Sequence, residues 1–400
     1  MSNPEDKVPD PEIDQPEVPA RAAAPDATTT VEEAAAPHRH DETPPQDVGA
    51  TGVTRRGLPR LGMVAIIIGA VALSLGLMQN LSSTIAPLFL GLNLMIAAYP
   101  VYTGLKKIKA PSLLAAVVTM LTVFVVLILG IGAVAWSVTQ VVAVLTQYSD
   151  QFVNLYNQAI GLLAQLGFDQ EEMLKSLKSI SPSSILDFAG GILSSTSAAS
   201  GLIAVMIVGI VFMTMDLPSV QERLAIVHRQ HPGLTDSISA VASGIRRYWV
   251  VTTVFGFIVA LINGGVILVL GVSLPLVWVV LTFITNYIPN IGFVIGLVPP
   301  ALLALVEKGP VTALIVVIAF SVINFILQSL IQPKFTGDAV GITPAVSFVS
   351  LLLWAWVFGA LGALIALPAT LTVKALLIDP DPKLRWLNAF ISNDPKTAEA

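Results

Sequence analysis

The chain has 400 residues, of which 54% are hydrophobic types and 12% are Asp, Glu, Lys or Arg, with a formal net charge of −5 and no cysteine. Soluble domains carry roughly 25% charge, so this composition excludes an ordinary soluble globule, and lipid must cover much of its apolar surface. The missing cysteines exclude disulfides and thiolate metal sites.

Residues 1–54 hold 12 acids and 3 bases, and residues 55–400 hold 14 acids and 18 bases. The first stretch is rich in Pro, Ala, Asp, Glu and Thr and reads as a disordered, acidic cytoplasmic tail, because it buries too little apolar surface to offset chain entropy. His38 and His40 lie in that tail, and His228 and His231 in one later loop. They form no metal-ligand cluster. The start of the chain lacks the pattern of a cleaved signal peptide, so the first apolar run, from about Leu61, reads as an uncleaved anchor.

Apolar runs follow at about 61–79, 83–104, 112–138, 192–215 and 248–271. A longer stretch, 274–306, is interrupted near Pro289. Another run covers about 311–332, and the last, 343–376, contains Gly359, Gly362 and Pro368. Runs of about 20 apolar residues suit helices that cross a ~30 Å hydrocarbon core, and continuous rather than alternating apolarity argues against a barrel. The fold expected is an all-α integral membrane protein with about eight passes, including broken or re-entrant helices. The membrane domain covers 55–378, and 379–400 forms a cytoplasmic C-terminal tail.

Positive charges set the orientation. Arg55, Arg56 and Arg60 precede the first pass, and Lys106, Lys107 and Lys109 follow the second. Arg223, Arg229, Arg246 and Arg247 lie between the fourth and fifth, and Lys374, Lys383 and Arg385 follow the last. Counting 274–306 and 343–376 as one broken pass each places these clusters and both termini in the cytoplasm. Lys334 alone then falls outside. Either stretch can instead be a re-entrant hairpin, and two such changes preserve the side of the C-terminus.

The region 140–190 then faces outward. In it Val141, Leu145, Tyr148, Phe152, Leu155, Ala159, Leu162 and Leu166 alternate in spacings of 4 and 3, a heptad seam that continues the third pass beyond the membrane. The seam suits packing either within the chain or against other subunits of a homo-oligomer. Asp169 and Ser181-Pro182 open two further short helices. On the other side, 216–247 reads as a helical excursion that closes on the interfacial anchor Arg246, Arg247, Tyr248 and Trp249.

No H-E-x-x-H, G-x-S-x-G or glycine-lysine phosphate loop is present, so an enzyme is not expected, nor a cofactor, a metal or a nucleic-acid partner. The partners expected are the lipid bilayer and a small solute. Ionisable residues within the passes would mark a functional site, but the acids lie in tails, loops or boundaries. Asp216, Glu307, Lys308, Lys334 and Asp338 are the boundary charges that could couple to transport. Polar residues sit deeper: Asn263 in the fifth pass, Asn286 and Asn290 around Pro289, and Asn324 and Gln328 four apart on one helix face. Pro289 removes an amide donor, and Gly292, Gly296, Pro299 and Pro300 follow. A helix broken at membrane depth is tolerated only against protein or a wet cavity. Ile291–Pro299 (IGFVIGLVP) is echoed by Leu361–Pro368 (LGALIALP), and paired Gly/Pro-interrupted segments point to a transport site. The pathway candidates are Asn263, Asn286, Pro289, Asn290, Gly292, Gly296, Pro299, Asn324, Gln328, Gly359, Gly362 and Pro368.

Four stretches carry a family resemblance: Met215-Asp216 through His231-Pro232; Ile245-Arg246-Arg247-Tyr248; Tyr287-Ile288-Pro289-Asn290-Ile291-Gly292 through Pro299; and Ile331-Gln332-Pro333-Lys334, Gly337, Gly341-Ile342-Thr343-Pro344 and Gly359 through Gly362 to Pro368. Over about 60–378 the chain resembles the autoinducer-2 exporter family. The resemblance implies a multi-pass permease; members are linked to export of autoinducer-2 and others to sodium–proton antiport. This chain has Gln328 and Gln332 where members often carry an acid before the position of Pro333, which counts against cation antiport. It also has Ala360 where Pro often follows the first Gly. The leading expectation is secondary-type export of a small polar or amphipathic solute; the alternatives are a sodium–proton antiporter and a non-transporting membrane scaffold.

Overall fold

A computed structural model describes residues 60–165, 196–289, 291–332, 335, 341–381 and 383–393. The expectations for the acidic tail, for the two short helices after 165, and for Leu166, Asn290, Lys334 and Asp338 lie outside the described residues, as do the side chains of Leu145, Leu155, Ala159 and Leu162.

Among the described residues the fold is helical, with one isolated β-bridge, Ile342 to Ser392. The helices are α1 (Arg60–Asn80), α2 (Ser82–Lys107), α3 (Ser112–Gln147), α4 (Ser149–Gln165), α5 (Thr196–Asp216), α6 (Val220–Gln230), α7 (Pro232–Val269), α8 (Pro275–Thr285), α9 (Ile291–Lys308), α10 (Pro310–Asn324), α11 (Pro344–Leu377) and α12 (Asn388–Ile391). A π-helical segment, Phe325–Ile331, continues α10. Among the described residues, eight helical segments are long and apolar enough to cross a membrane, in line with the eight apolar runs.

Local signals explain the breaks. Pro at the first helical turn, where its missing amide costs nothing, opens α7, α8, α10 and α11. Thr343 caps α11, its Oγ1 accepting from Val346 N at 3.3 Å. The excursion between α5 and α7 is helical, as its pattern suggested: a 3-10 turn at Leu217–Ser219 and then α6. Only Leu81 separates α1 from α2, in place of a polar turn at Gln79-Asn80.

The two long interrupted stretches adopt the re-entrant alternative. The Glu307 carboxylate, at the end of α9, accepts from Ser273 N, just before α8, at 2.9 Å. A segment that starts and ends at one place has turned back, so 275–308 forms a hairpin (hairpin 1). Within α11, Gly359 has φ 66° and ψ −143°, a left-handed conformation that glycine adopts without steric cost. The limbs 344–358 and 360–377 pair through Ser350 Oγ to Ala366 O at 3.0 Å and Trp354 Nε1 to Thr370 Oγ1 at 2.9 Å. At their open end Thr343 N donates to Ile391 O at 2.9 Å and Asn393 N to Gly341 O at 2.8 Å. This is hairpin 2.

The hairpins open toward opposite ends of the bundle. One end is basic: Lys106 and Lys107 close α2, and Arg246 stacks over Tyr99, 5.6 Å from its ring centre. The base of hairpin 1 lies at the other end, where α3 finishes and Tyr148 packs against the same buried cluster as Trp278, Leu303 and Phe320. The turn of hairpin 2 lies beside the α1–α2 joint, Gln79 Nε2 donating to Trp356 O at 3.2 Å, remote from Lys106 and Lys107. Its open end therefore faces the basic end. After hairpin 1, α10 crosses back, and Arg247 Nε donates to Phe335 O at 3.1 Å, which sets residue 335 at the basic end.

Candidate transport site

Hairpin 1 is closed by backbone contact. Its turn is held by Ile288 N to Thr285 O at 2.9 Å and Gly292 N to Ile288 O at 2.9 Å. A Cβ on Gly292 would stand 1.8 Å from Thr285 O, and one on Gly296 would stand 3.1 Å from Thr285 Oγ1. Both glycines therefore let α9 lie on α8. The echo in hairpin 2 is geometric as well: a Cβ on Gly362 would stand 1.8 Å from Trp354 O, and Ala366, one turn on, meets Ser350. Pro300 and Pro368 are buried in the two returning limbs, and Pro299 is half-buried.

The polar residues of hairpin 1 meet α7 and the π-helical segment. The Asn286 side chain lies on Gly256 of α7, where a Cβ would come 2.8 Å from Asn286 Nδ2. Its Oδ1 accepts from Gln328 Nε2. A π turn carries one more residue than an α turn and is frequent at functional sites; here it carries Gln328. Asn263 and Asn324 each lie one turn toward the basic end from a residue of one buried cluster, Ile267 of α7 and Phe320 of α10. Asn263 Oδ1, Asn324 Oδ1 and Thr282 Oγ1 are buried without a hydrogen-bond partner among the described residues. A buried polar atom without a partner carries a desolvation cost of about 1–3 kcal/mol, which a donor entering the site would relieve.

The hairpins differ chemically. In hairpin 2, Ser350, Thr370 and Trp354 satisfy one another and the Ala366 carbonyl. Thr282, Thr285, Ser350, Thr370 and Trp354 were not singled out from the sequence. The spacing of Thr282 and Thr285, three apart on the face that meets Gly296, is the signal that could have found the first pair. Gly359 and Gly362 lie at the turn of hairpin 2, so the structure groups Asn263, Asn286, Asn324 and Gln328 around hairpin 1 and places Gly359, Gly362 and Pro368 in the other hairpin.

The boundary charges separate. Asp216 pairs with Arg223 at 3.0 Å in an exposed contact, a kind worth little to stability. Glu307 ties the base of hairpin 1, its Oε1 buried without a geometric hydrogen bond. Tyr148 lies beside it: interaction with the Glu307 carboxylate first, and burial second, hold the phenol above its usual range. Lys308 is exposed beside Gly271. Of the heptad seam, Val141 and Tyr148 pack on hairpin 1 within the chain, and Phe152 is half-buried.

A helical bundle with two hairpins inserted from opposite ends, whose broken segments line polar groups at depth, is the construction of a polytopic membrane transporter. The chain belongs to the AI-2E transporter family, whose profile matches residues 61–379. It is similar to the AI-2 transport protein TqsA of Escherichia coli strain K12, at 25% identity over 315 residues, 78% of this chain and 91% of the relative. A candidate transport protein of Haemophilus influenzae is 26% identical over 326 residues, covering 79% of this chain and 91% of its own. The Escherichia coli K12 protein YhhT, also named as a candidate transport protein, is 24% identical over 292 residues, or 72% and 83% of the two chains.

Proposed function

We propose that this transporter exports a small, uncharged, polar or amphipathic solute across the bacterial inner membrane, driven as a secondary transporter. The solute class suggested is autoinducer-2, named for the Escherichia coli relative, or a similarly hydroxylated metabolite. The observation that carries the reading is the trio of unpartnered oxygens at Asn263, Thr282 and Asn324 beside the Asn286–Gln328 pair. They offer acceptors to hydroxyl donors without a fixed charge. The pathway runs between α7, hairpin 1 and the π-helical segment, with hairpin 2 as the opposing element. The basic end faces the cytoplasm by the positive-inside rule, and both termini lie there. The part of the seam beyond Tyr148, on α4, is the surface offered to a homo-oligomer.

The test is a comparison of extracellular metabolites from a deletion strain carrying wild type, Asn286→Ala or Asn263→Leu. A hydroxylated metabolite that accumulates inside the deletion strain, is exported by wild type and is retained by both variants at equal protein level supports the reading. Export by the variants at the wild-type rate refutes the site, and an unchanged exometabolome in the deletion strain refutes export.

A further inference from the structure

A second binding feature lies on the outer surface of α7, away from hairpin 1's polar groups. Ala240, Ser243, Gly244, Arg246, Arg247 and Val250 line an open cleft of about 440 Å³ at the basic end. Arg246 Nε donates to Ile96 O at 3.5 Å with its guanidinium over the Tyr99 ring, and Arg247 Nε donates to Phe335 O at 3.1 Å; among the described residues the terminal nitrogens of both form no hydrogen bond. Neither forms an ion pair among the described residues. Asp236, the nearest acid earlier on the helix, lies about two turns from Ser243 and faces His228 at 3.7 Å. The forked terminal nitrogens suit a phosphate, which guanidinium binds in bidentate fashion.

The chemistry changes along one face of the helix. Ser243, Arg247, Val250, Val254, Phe257 and Leu261 follow at spacings of 4, 3, 4, 3 and 4, the spacing of a single helical face. The first two are polar and exposed. The next four are apolar and half-exposed, at 52%, 50%, 51% and 50%. A cationic cleft that continues directly into an apolar stripe about 16 Å long matches a headgroup joined to its acyl chains. A free phosphate ion would use only the upper part.

We propose that this cleft binds an anionic phospholipid, with its phosphate on Arg246 and Arg247, a headgroup hydroxyl near Ser243, and an acyl chain along Val250, Val254, Phe257 and Leu261. The general attraction of anionic leaflets for basic segments is here focused on one lipid position.

Titration of the full chain in a neutral detergent with phosphatidylglycerol, phosphatidylcholine or inorganic phosphate tests this, read by native mass spectrometry and thermal shift. Phosphatidylglycerol is expected to bind and raise the melting temperature, with phosphatidylcholine and phosphate without effect. Arg247→Gln weakens binding about tenfold, as loss of one charged contact implies, and Arg247→Lys loses less. Ser243→Leu fills the cleft without touching the Phe335 contact and weakens binding as well, which separates lost binding from lost folding. Equal binding of both lipids overturns the proposal. So does binding of phosphate as tight as that of phosphatidylglycerol. A disulfide between copies carrying Val254→Cys would assign the stripe to a second copy of the chain and overturn it too.

Discussion

At the scale of single residues, the hairpins depend on two glycines chosen for space. A Cβ on Gly292 or Gly362 would stand 1.8 Å from a backbone carbonyl oxygen of the opposing limb. Backbone, unlike the end of a flexible side chain, cannot swing away, so the limbs must part. Overpacking of this kind costs about 1–3 kcal/mol or more. Gly292→Ala and Gly362→Ala are each expected to lower the melting temperature of detergent-solubilised protein, whereas Gly69→Ala, with nothing within 4 Å, leaves it unchanged or raises it. Gly362→Ala melting together with Gly69→Ala would remove close limb packing as the reason for this glycine. The sequence made both positions visible, since Gly and Pro interrupt apolar runs in the same order. It could not show what each glycine faces, because contact partners 7 and 8 residues back lie across a turn that the pattern does not locate. Thr282 and Ser350 stayed hidden for the same reason: a lone hydroxyl in an apolar run has no distinctive spacing until its partner limb is known.

At the scale of elements, α3 and hairpin 1 meet at Tyr148 and Glu307. Hydrogen bonding to the Glu307 carboxylate favours the protonated phenol, burial and the carboxylate's charge add to it, and the Tyr148 phenol is held above its usual value. The folded state therefore retains the proton more strongly than the unfolded chain. Any stability this gives is fully present below the unfolded value of about 10 and is lost as pH rises from there through the folded value. Thermal unfolding measured from pH 8 to pH 11 is expected to show a steeper alkaline decline for wild type than for Glu307→Gln, in which Tyr148 titrates nearer to its usual value. Parallel curves would mean that the contact does not couple α3 to the hairpin. The heptad seam suggested one helix continuing past the membrane; the 36 residues of α3 extend about 54 Å, longer than a ~30 Å core, but the helix ends at Tyr148 and α4 starts anew at Ser149. Periodicity alone could not say what the seam faces, because an apolar stripe fits a neighbour in its own chain as well as one in another subunit. The packing of Val141 and Tyr148 on hairpin 1 assigns the first part of the stripe to its own chain.

At the scale of the whole molecule, two changes to the simple pass count act together. Treated as one broken pass each, the interrupted stretches left Lys334 as a single basic residue on the acidic side. Treated as hairpins, they shift only the segment between them, α10 and its continuation toward hairpin 2, to the opposite polarity. The chain reaches residue 335 beside Arg247, at the basic end. Hydropathy could not distinguish the two arrangements, since a broken pass and a hairpin have the same composition; the deciding contacts, Ser273 with Glu307 and Thr343 with Ile391, are short links between residues far apart in sequence. The absence of native cysteine makes the arrangement directly measurable in intact cells. Single cysteines at Ser273 and Lys308, on either side of hairpin 1, are expected to react with a membrane-impermeant maleimide applied from outside. Cysteines at Phe335, which is exposed, and Ile378, flanking hairpin 2, are expected to react only after permeabilisation. Under the broken-pass arrangement each pair would split, one member labelled from each side. A split at 273 and 308 would remove hairpin 1, and a split at 335 and 378 would remove hairpin 2. Paired labelling of both, on opposite sides, would establish that the two interrupted segments enter the membrane from opposite faces, the geometry on which a solute path between them depends.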